Sequence, residues 1–305
     1  MGILKPFGIR ENEIPVLGQL PYICKKIDFM KKIVFFLNAM LLLSLSNAQT
    51  LTTPQPSPTQ TIKQNFSLGS VELSYSRPAK KGRKIMGDLV PFGKVWRTGA
   101  NNATTLTFSD DVNIGGTEVK AGKYGLLTMP DAGKWTIIIT KDVNVSSPSA
   151  YKPENDVVRV QAEVVKLPYS IENFTINFAD ITGSSCNVEM MWENTYVRFP
   201  ITAGTDAKVM KQIDDAMNKD SRPYYNAASY YYDNGKDLNQ ALSWVNKAVE
   251  TNKEAYWMTM LKARIHLKLG DKAAAKAAAL TTIDLATKGK NDDYVKMATE
   301  LIAAL

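Results

Sequence analysis

Histidine and cysteine, the residues behind much metal and nucleophilic chemistry, are nearly missing. The 305-residue chain holds one histidine, His266, and two cysteines, Cys24 and Cys186. A zinc site of the usual ligand types and a paired redox-cysteine site are therefore disfavoured. A Ser-His-Asp site would have to take its base from His266, in a helical stretch remote from the strand-forming part of the chain. No Gly-x-Gly-x-x-Gly follows a strand-like run, which argues against a dinucleotide fold. Gly87 to Lys94 only approximates a phosphate loop, because five residues separate its glycines and Val95 stands where Ser or Thr should follow. No cofactor, no metal and no catalytic residue is expected.

Long apolar runs are missing too. The one marked run, Ile33 to Leu45, has thirteen positions interrupted by Asn38 and Ser44, short of the roughly 20 that cross a bilayer as a helix. Its flanks explain it. Met30 is followed by Lys31 and Lys32, and Ser46-Asn47-Ala48 puts small residues at −3 and −1 of a cleavage site. Basic, apolar, small is the order of a secretory signal. Residues 30–48 are therefore read as a cleaved signal peptide and the chain as secreted or periplasmic, without a stable membrane span after cleavage. Residues 1–29 are read as a leader extension, with translation starting at Met30. Processing would leave Cys186 as a lone thiol, read as a small buried hydrophobe on the apolar side of a strand. It would also lower the net charge from +7 to +4 for residues 49–305, ordinary for a soluble protein and no argument for nucleic acid.

Residues 49–61, with Pro54, Pro56 and Pro58 among Thr, Gln and Ser, read as an extended linker. From 62 to 203 the period is two. Val158, Val160, Ala162 and Val164 alternate with polar neighbours, as do Phe174, Ile176 and Phe178, and Cys186, Val188, Met190 and Trp192. Gly115-Gly116 and Asp131-Ala132-Gly133 mark turns. Eight to ten short strands joined this way predict an antiparallel β-sandwich. From 204 to 305 the period becomes helical. Asp206 is expected to cap a helix running to Met217, and Pro223 to open the next after Ser221. Gly235 and Gly270 recur 35 positions apart and Ala241 and Ala275 34 apart, the interval of a tetratricopeptide-like helical hairpin. Two such units and a closing helix, Asp292 to Ala304, are too few to stand alone, so the tail is expected to pack on the β-domain or a protein partner.

The least ordinary stretch runs from Tyr75 to Thr105 and includes Tyr-Ser-Arg-Pro at 75–78, Lys-Gly-Arg-Lys-Ile-Met-Gly at 81–87 and Val-Trp-Arg-Thr-Gly-Ala-Asn at 95–101. With Ala-Gly-Lys-Tyr-Gly-Leu at 121–126 and Trp135-Thr-Ile-Ile-Ile, it resembles a bacterial secreted family known as domain of unknown function 2911, over roughly Phe66 to Ile181. The resemblance implies export and a β fold rather than an activity. Ser146 to Tyr151 departs from it, holding neither Trp nor Gly where a Trp-Gly motif is expected.

In a strand through Val95 to Thr98, Trp96 faces the core and Arg97 the opposite side. Arg77, Arg83, Arg97 and Asn101, with Tyr124, are the candidate ligand-binding residues, since guanidinium groups offer rigid forks of donors to an anion or carboxylate. The competing reading pairs these arginines with Asp88, Asp110 or Glu118 as loop ties, and leaves Lys80 to Lys84 as a solvated basic loop. The sequence thus predicts a non-enzymatic envelope protein, its β-sandwich taking an anionic ligand and its helical tail a protein. The alternative is a hydrolase or lyase acting on an anionic metabolite through the Arg/Asn pocket.

Overall fold

The computed structural model describes residues 29–35, 53–219 and 222–305. Most of the segment read as a signal peptide, and Ser221, lie outside the described residues. The described residues divide between one unit that ends at Gln55 and a second, Pro56–Leu305. In the first, residues 29–35 are helical and exposed. No helix among the described residues is long and apolar enough to cross a membrane.

The second unit begins with nine antiparallel strands: β1 (Thr59–Phe66), β2 (Gly69–Ser76), β3 (Thr104–Phe108), β4 (Val112–Ile114), β5 (Thr117–Val119), β6 (Gly122–Met129), β7 (Lys134–Thr140), β8 (Asp156–Ala179) and β9 (Ser185–Thr202). Their order is β1-β2-β3-β6-β7-β8-β9-β4-β5. The sandwich comes from β8. Its first part pairs with β7 as far as Glu163, and from Val164 onward it pairs with β9, so one strand passes from the first layer into the second. The register slips between Lys166 and Thr175, where Pro168 removes a ladder donor and the strand can bend. β8 and β9 are therefore far longer than the short strands expected from sequence.

Between the layers lies one apolar core. Val71, Leu73 and Leu106 from the first sheet join Phe174, Ile176, Val188 and Met190 from the second, all fully buried or nearly so. The polar residues that alternate with them are turned outward, as a period of two demands. Tyr75 stitches the layers together. Its hydroxyl donates to the Ile176 carbonyl at 3.1 Å and accepts from the Ile176 amide at 2.9 Å, and burial raises its pKa. Gly115 and Gly116, at φ +59 and +86, form the β4–β5 turn that the sequence predicts. β1 begins at Thr59, inside the stretch read as linker, because its backbone ladders with β2 from Ser76 back to Gly69.

Six helices follow among the described residues: α1 (Thr205–Met217), α2 (Tyr224–Asp233), α3 (Leu238–Thr251), α4 (Tyr256–Lys268), α5 (Lys272–Lys288) and α6 (Asp292–Ala303). α2 with α3 and α4 with α5 are hairpins, each turning on a glycine in the left-handed region, Gly235 at φ +62 and Gly270 at φ +83. Asp237, Asp271 and Asn291 accept from first-turn amides of α3, α5 and α6. Asp206 does not cap α1. Gly204 occupies that position, and the Asp206 carboxylate instead takes the Tyr230 hydroxyl at 3.0 Å and Lys236 at 2.7 Å. This joins α1 to the first hairpin, while Lys208 pairs with Asp110 and joins α1 to the β-domain. Both lysines draw the carboxylates they meet below the usual range.

Candidate functional site

Between β2 and β3 the chain leaves regular structure from Arg77 to Ala103. A connection of this length inside a compact domain is usually functional. It is nevertheless firmly held. Lys80 donates its amide to the Glu172 carbonyl, Phe174 donates to the Pro78 carbonyl, and Trp96 exchanges both backbone bonds with Thr128. Ile85, Met86 and Val90 enter the core. Glu193 Oε2 accepts from the amides of Ile85 and Met86 at 3.3 and 3.4 Å, while Oε1 lies 3.5 Å from Lys80 Nζ.

Trp96 is a one-residue bridge, not the middle of the strand expected through Val95–Thr98. The reason lies two residues on, where Thr98 is fully buried at φ +56, followed by Gly99 at φ +154 and Asn101 at φ +57. A β-branched residue in the left-handed region is strained, and such strain persists where surrounding contacts over-determine it. Those contacts are present. Thr98 Oγ1 donates to the Trp96 carbonyl and shares a hydrogen bond with Thr128 Oγ1, Thr104 Oγ1 donates to the Thr98 carbonyl at 2.5 Å, and Trp96 Nε1 donates to the Gly99 carbonyl. A side chain on Gly99 would meet the Ser76 carbonyl oxygen at 3.0 Å.

Beside this turn opens a cleft of about 590 Å³, a common size for a small-molecule site. Trp96 and Trp192, stacked at 6.0 Å and 18°, form its aromatic side together with the prolines at 56, 78, 91 and 148. Four cations line it, Lys81, Arg83, Lys94 and Arg97, and none of its lining residues is acidic, histidine or cysteine. None of the four forms an ion pair among the described residues. Arg97 donates Nη1 to the Ser146 carbonyl at 2.7 Å, and its Nε is buried without a partner.

The residues singled out from sequence are distributed unevenly. Arg83 and Arg97 line the cleft. Arg83 is exposed, its Nε and Nη2 donating to the carbonyls of Lys80 and Ala79. Arg77 faces away, donating Nε to the Phe174 carbonyl at 3.2 Å and Nη2 to Thr175 Oγ1 at 2.9 Å, so it staples the end of β2 to β8. Asn101 stands behind one wall. Its amide donates to the Ser57 carbonyl at 3.1 Å and to Ser76 Oγ, which holds Pro56 and Ser57 in place as lining. Tyr124 lies outside the lining, its ring against Phe108 and its hydroxyl donating to the Lys120 carbonyl. Of the carboxylates considered as partners, Asp110 is engaged by Lys208 and Glu118 by Lys120, and Asp88 forms no ion pair among the described residues.

The stretch Lys80 to Lys84, read from sequence as a solvated basic loop, is not uniformly so, since Lys80 pairs with Glu193 and Lys81 lines the cleft; Lys94 and the Ser147-Pro148 wall are not among the sequence candidates. Lys81 and Lys94 carry a signal, since they flank Arg83 and Arg97 in an acid-poor loop, whereas nothing local marks Ser147 and Pro148. Cys186 is buried on the apolar side of β9, and burial pushes its thiol up to about 11, which makes a poor nucleophile. Burial lowers the pKa of His266 on α4, and Asp271 lies 3.7 Å from its Nδ1.

The class is set by these features: a two-layer antiparallel β-domain with an acid-free cationic cleft, followed by helical hairpins. Residues 57–201, which hold the β-domain, match the family model described as Protein of unknown function (DUF2911). The helical hairpins lie beyond the matched residues. No curated protein and no solved structure matches the chain.

Proposed function

We propose that the chain is an exported, non-enzymatic envelope protein whose β-domain binds an anionic ligand with an apolar body, and whose helical tail binds a protein. One observation carries the ligand reading: four unpaired cations on an otherwise aromatic and proline-lined cleft, with no acid among them. Guanidinium and ammonium groups that no carboxylate neutralises attract an anion, and the indole faces of Trp96 and Trp192 supply apolar contact area. The lining offers no carboxylate or histidine to act as general base, so binding is favoured over hydrolysis or elimination. For the tail, stacked hairpins that form an extended surface support a protein-binding role. For export, the support is the basic-apolar-small order of residues 30–48.

The ligand reading is tested with two detergents that share a tail and differ in head charge. Below their micellar concentrations, octyl phosphate is expected to raise the melting temperature, as any ligand of the folded state does, and octyltrimethylammonium is not. The exposed substitutions Arg83→Gln and Lys94→Gln together are expected to weaken octyl phosphate binding by roughly tenfold or more, about 1.5–3 kcal/mol for charge-assisted bonds. Equal stabilisation by both detergents, or no effect of the double variant, would refute an anion site.

A further inference from the structure

The cleft does not sit in a uniformly charged molecule. Between Arg77 and Thr98 there are seven Lys or Arg and one acid, Asp88, whereas the rest of residues 49–305 holds 24 Lys or Arg against 26 Asp or Glu. The positive excess is therefore carried by the loop that supplies most of the cleft wall, and the remainder is weakly negative. Such a distribution orients a protein before contact, cationic face toward an anionic surface. A soluble ligand buried in the cleft would need the lining charges alone, but Lys84, outside the lining, is exposed on the same loop.

Apolar groups stand among these cations. Leu89 is 45% and Phe92 40% exposed, three positions apart on the loop between Lys84 and Lys94, and Leu89 lines the cleft. They are rigidly presented. The Gly87 amide donates to the Val90 carbonyl and the Val90 amide to that of Ile85, while Ile85, Met86 and Val90 are buried beneath. The Phe92 ring lies over Gly87, where a Cβ would meet it at 2.8 Å. Exposing two large apolar side chains on a loop fixed this tightly costs solvation, which is recovered when they leave water. Exposed Leu and Phe side chains on a loop rich in Lys and Arg are the composition of a surface that enters the headgroup layer of an anionic bilayer. A nucleic acid would use the cations but not the apolar tips or the apolar cleft behind them.

We propose that the Lys80–Arg97 loop docks on an anionic phospholipid surface, with Leu89 and Phe92 entering the headgroup layer, Lys81, Arg83, Lys84 and Lys94 meeting lipid phosphates, and the cleft receiving one lipid headgroup with the first part of its chains. This rests on the anion-binding reading and adds to it the source of the anion. Leu89 belongs to both surfaces, tip outside and lining within. The molecule then stands with its cleft mouth on the lipid and its weakly negative remainder turned from it.

The test is sedimentation of the full chain with vesicles of phosphatidylcholine alone or doped with phosphatidylglycerol, compared with Phe92→Ser and with Lys84→Glu. Neither Phe92 nor Lys84 lines the cleft, so octyl phosphate binding in solution should persist in both. Doping is expected to raise vesicle binding at least tenfold, since each cation near the surface contributes a factor of about five. Phe92→Ser should lower the doped-vesicle affinity about tenfold, and Lys84→Glu by about twentyfold or more, two charge units away. If octyl phosphate binds but doped vesicles bind no better than plain ones, the docking is wrong and the anion site stands. If doped vesicles bind but Phe92→Ser changes nothing and salt abolishes the binding, the loop is a polyanion site and the insertion is wrong. If neither octyl phosphate nor vesicles bind, both readings fall.

Discussion

Glu193 acts on the cleft from outside its lining. It occupies the left-handed region at φ +54 and holds the amides of Ile85 and Met86 and the ammonium of Lys80, so one half-buried carboxylate fixes the loop that carries Lys81, Arg83 and Leu89. Removing it strands two amide donors, at about 1–3 kcal/mol for groups left unsatisfied. Glu193→Ala is therefore expected to speed hydrogen exchange at Ile85 and Met86 about tenfold or more while leaving α4 unchanged. Uniform acceleration throughout the β-domain would show a global rather than a local role. Cys186 was legible in sequence as a buried hydrophobe, because local pattern decides it. Trp96, expected to face the core with Arg97 opposite, is half-buried against the core and lines the cleft together with Arg97. Arg77 and Arg97 look alike in sequence. What separates them is that Arg77 meets carbonyl and hydroxyl groups 97 and 98 positions away on β8, a contact no local pattern encodes.

At the scale of elements, alternation located the strands and the 35-residue interval located the hairpins, because both follow from which face is buried. The lengths of β8 and β9 were not legible. A strand that changes layers keeps the same period of two on either side of its bend, so the pattern shows no joint between the layers. The Arg77–Ala103 connection was recognisable as unusual but not as a cleft wall, since Ser147 and Pro148 complete it from a separate loop. Residues 30–48 form an element of another kind, whose proposed role is removal. N-terminal sequencing of the chain recovered from the envelope or the medium is expected to begin at Gln49. A chain found intact in the cytosol, with Ala48 and Gln49 still joined, would remove export from the account.

At the scale of the molecule, the two parts carry different burdens. The β-domain concentrates cations around an aromatic cleft beside a strained Thr98–Asn101 turn, and the hairpins, tied to it through α1 by Asp206 and Lys208, extend the surface. Five tryptophans report on this division, Trp96, Trp135 and Trp192 in the β-domain and Trp244 and Trp257 in the hairpins. Titrating octyl phosphate into the nitrogen-15-labelled chain while following the indole signals tests the account most directly. The Trp96 signal, whose Nε1 donates to Gly99 within the strained turn, and that of Trp192 should shift saturably, while those of Trp244 and Trp257 hold still. Saturable shifts confined to Trp244 and Trp257, or no shift at Trp96 at any concentration below micelle formation, would contradict it.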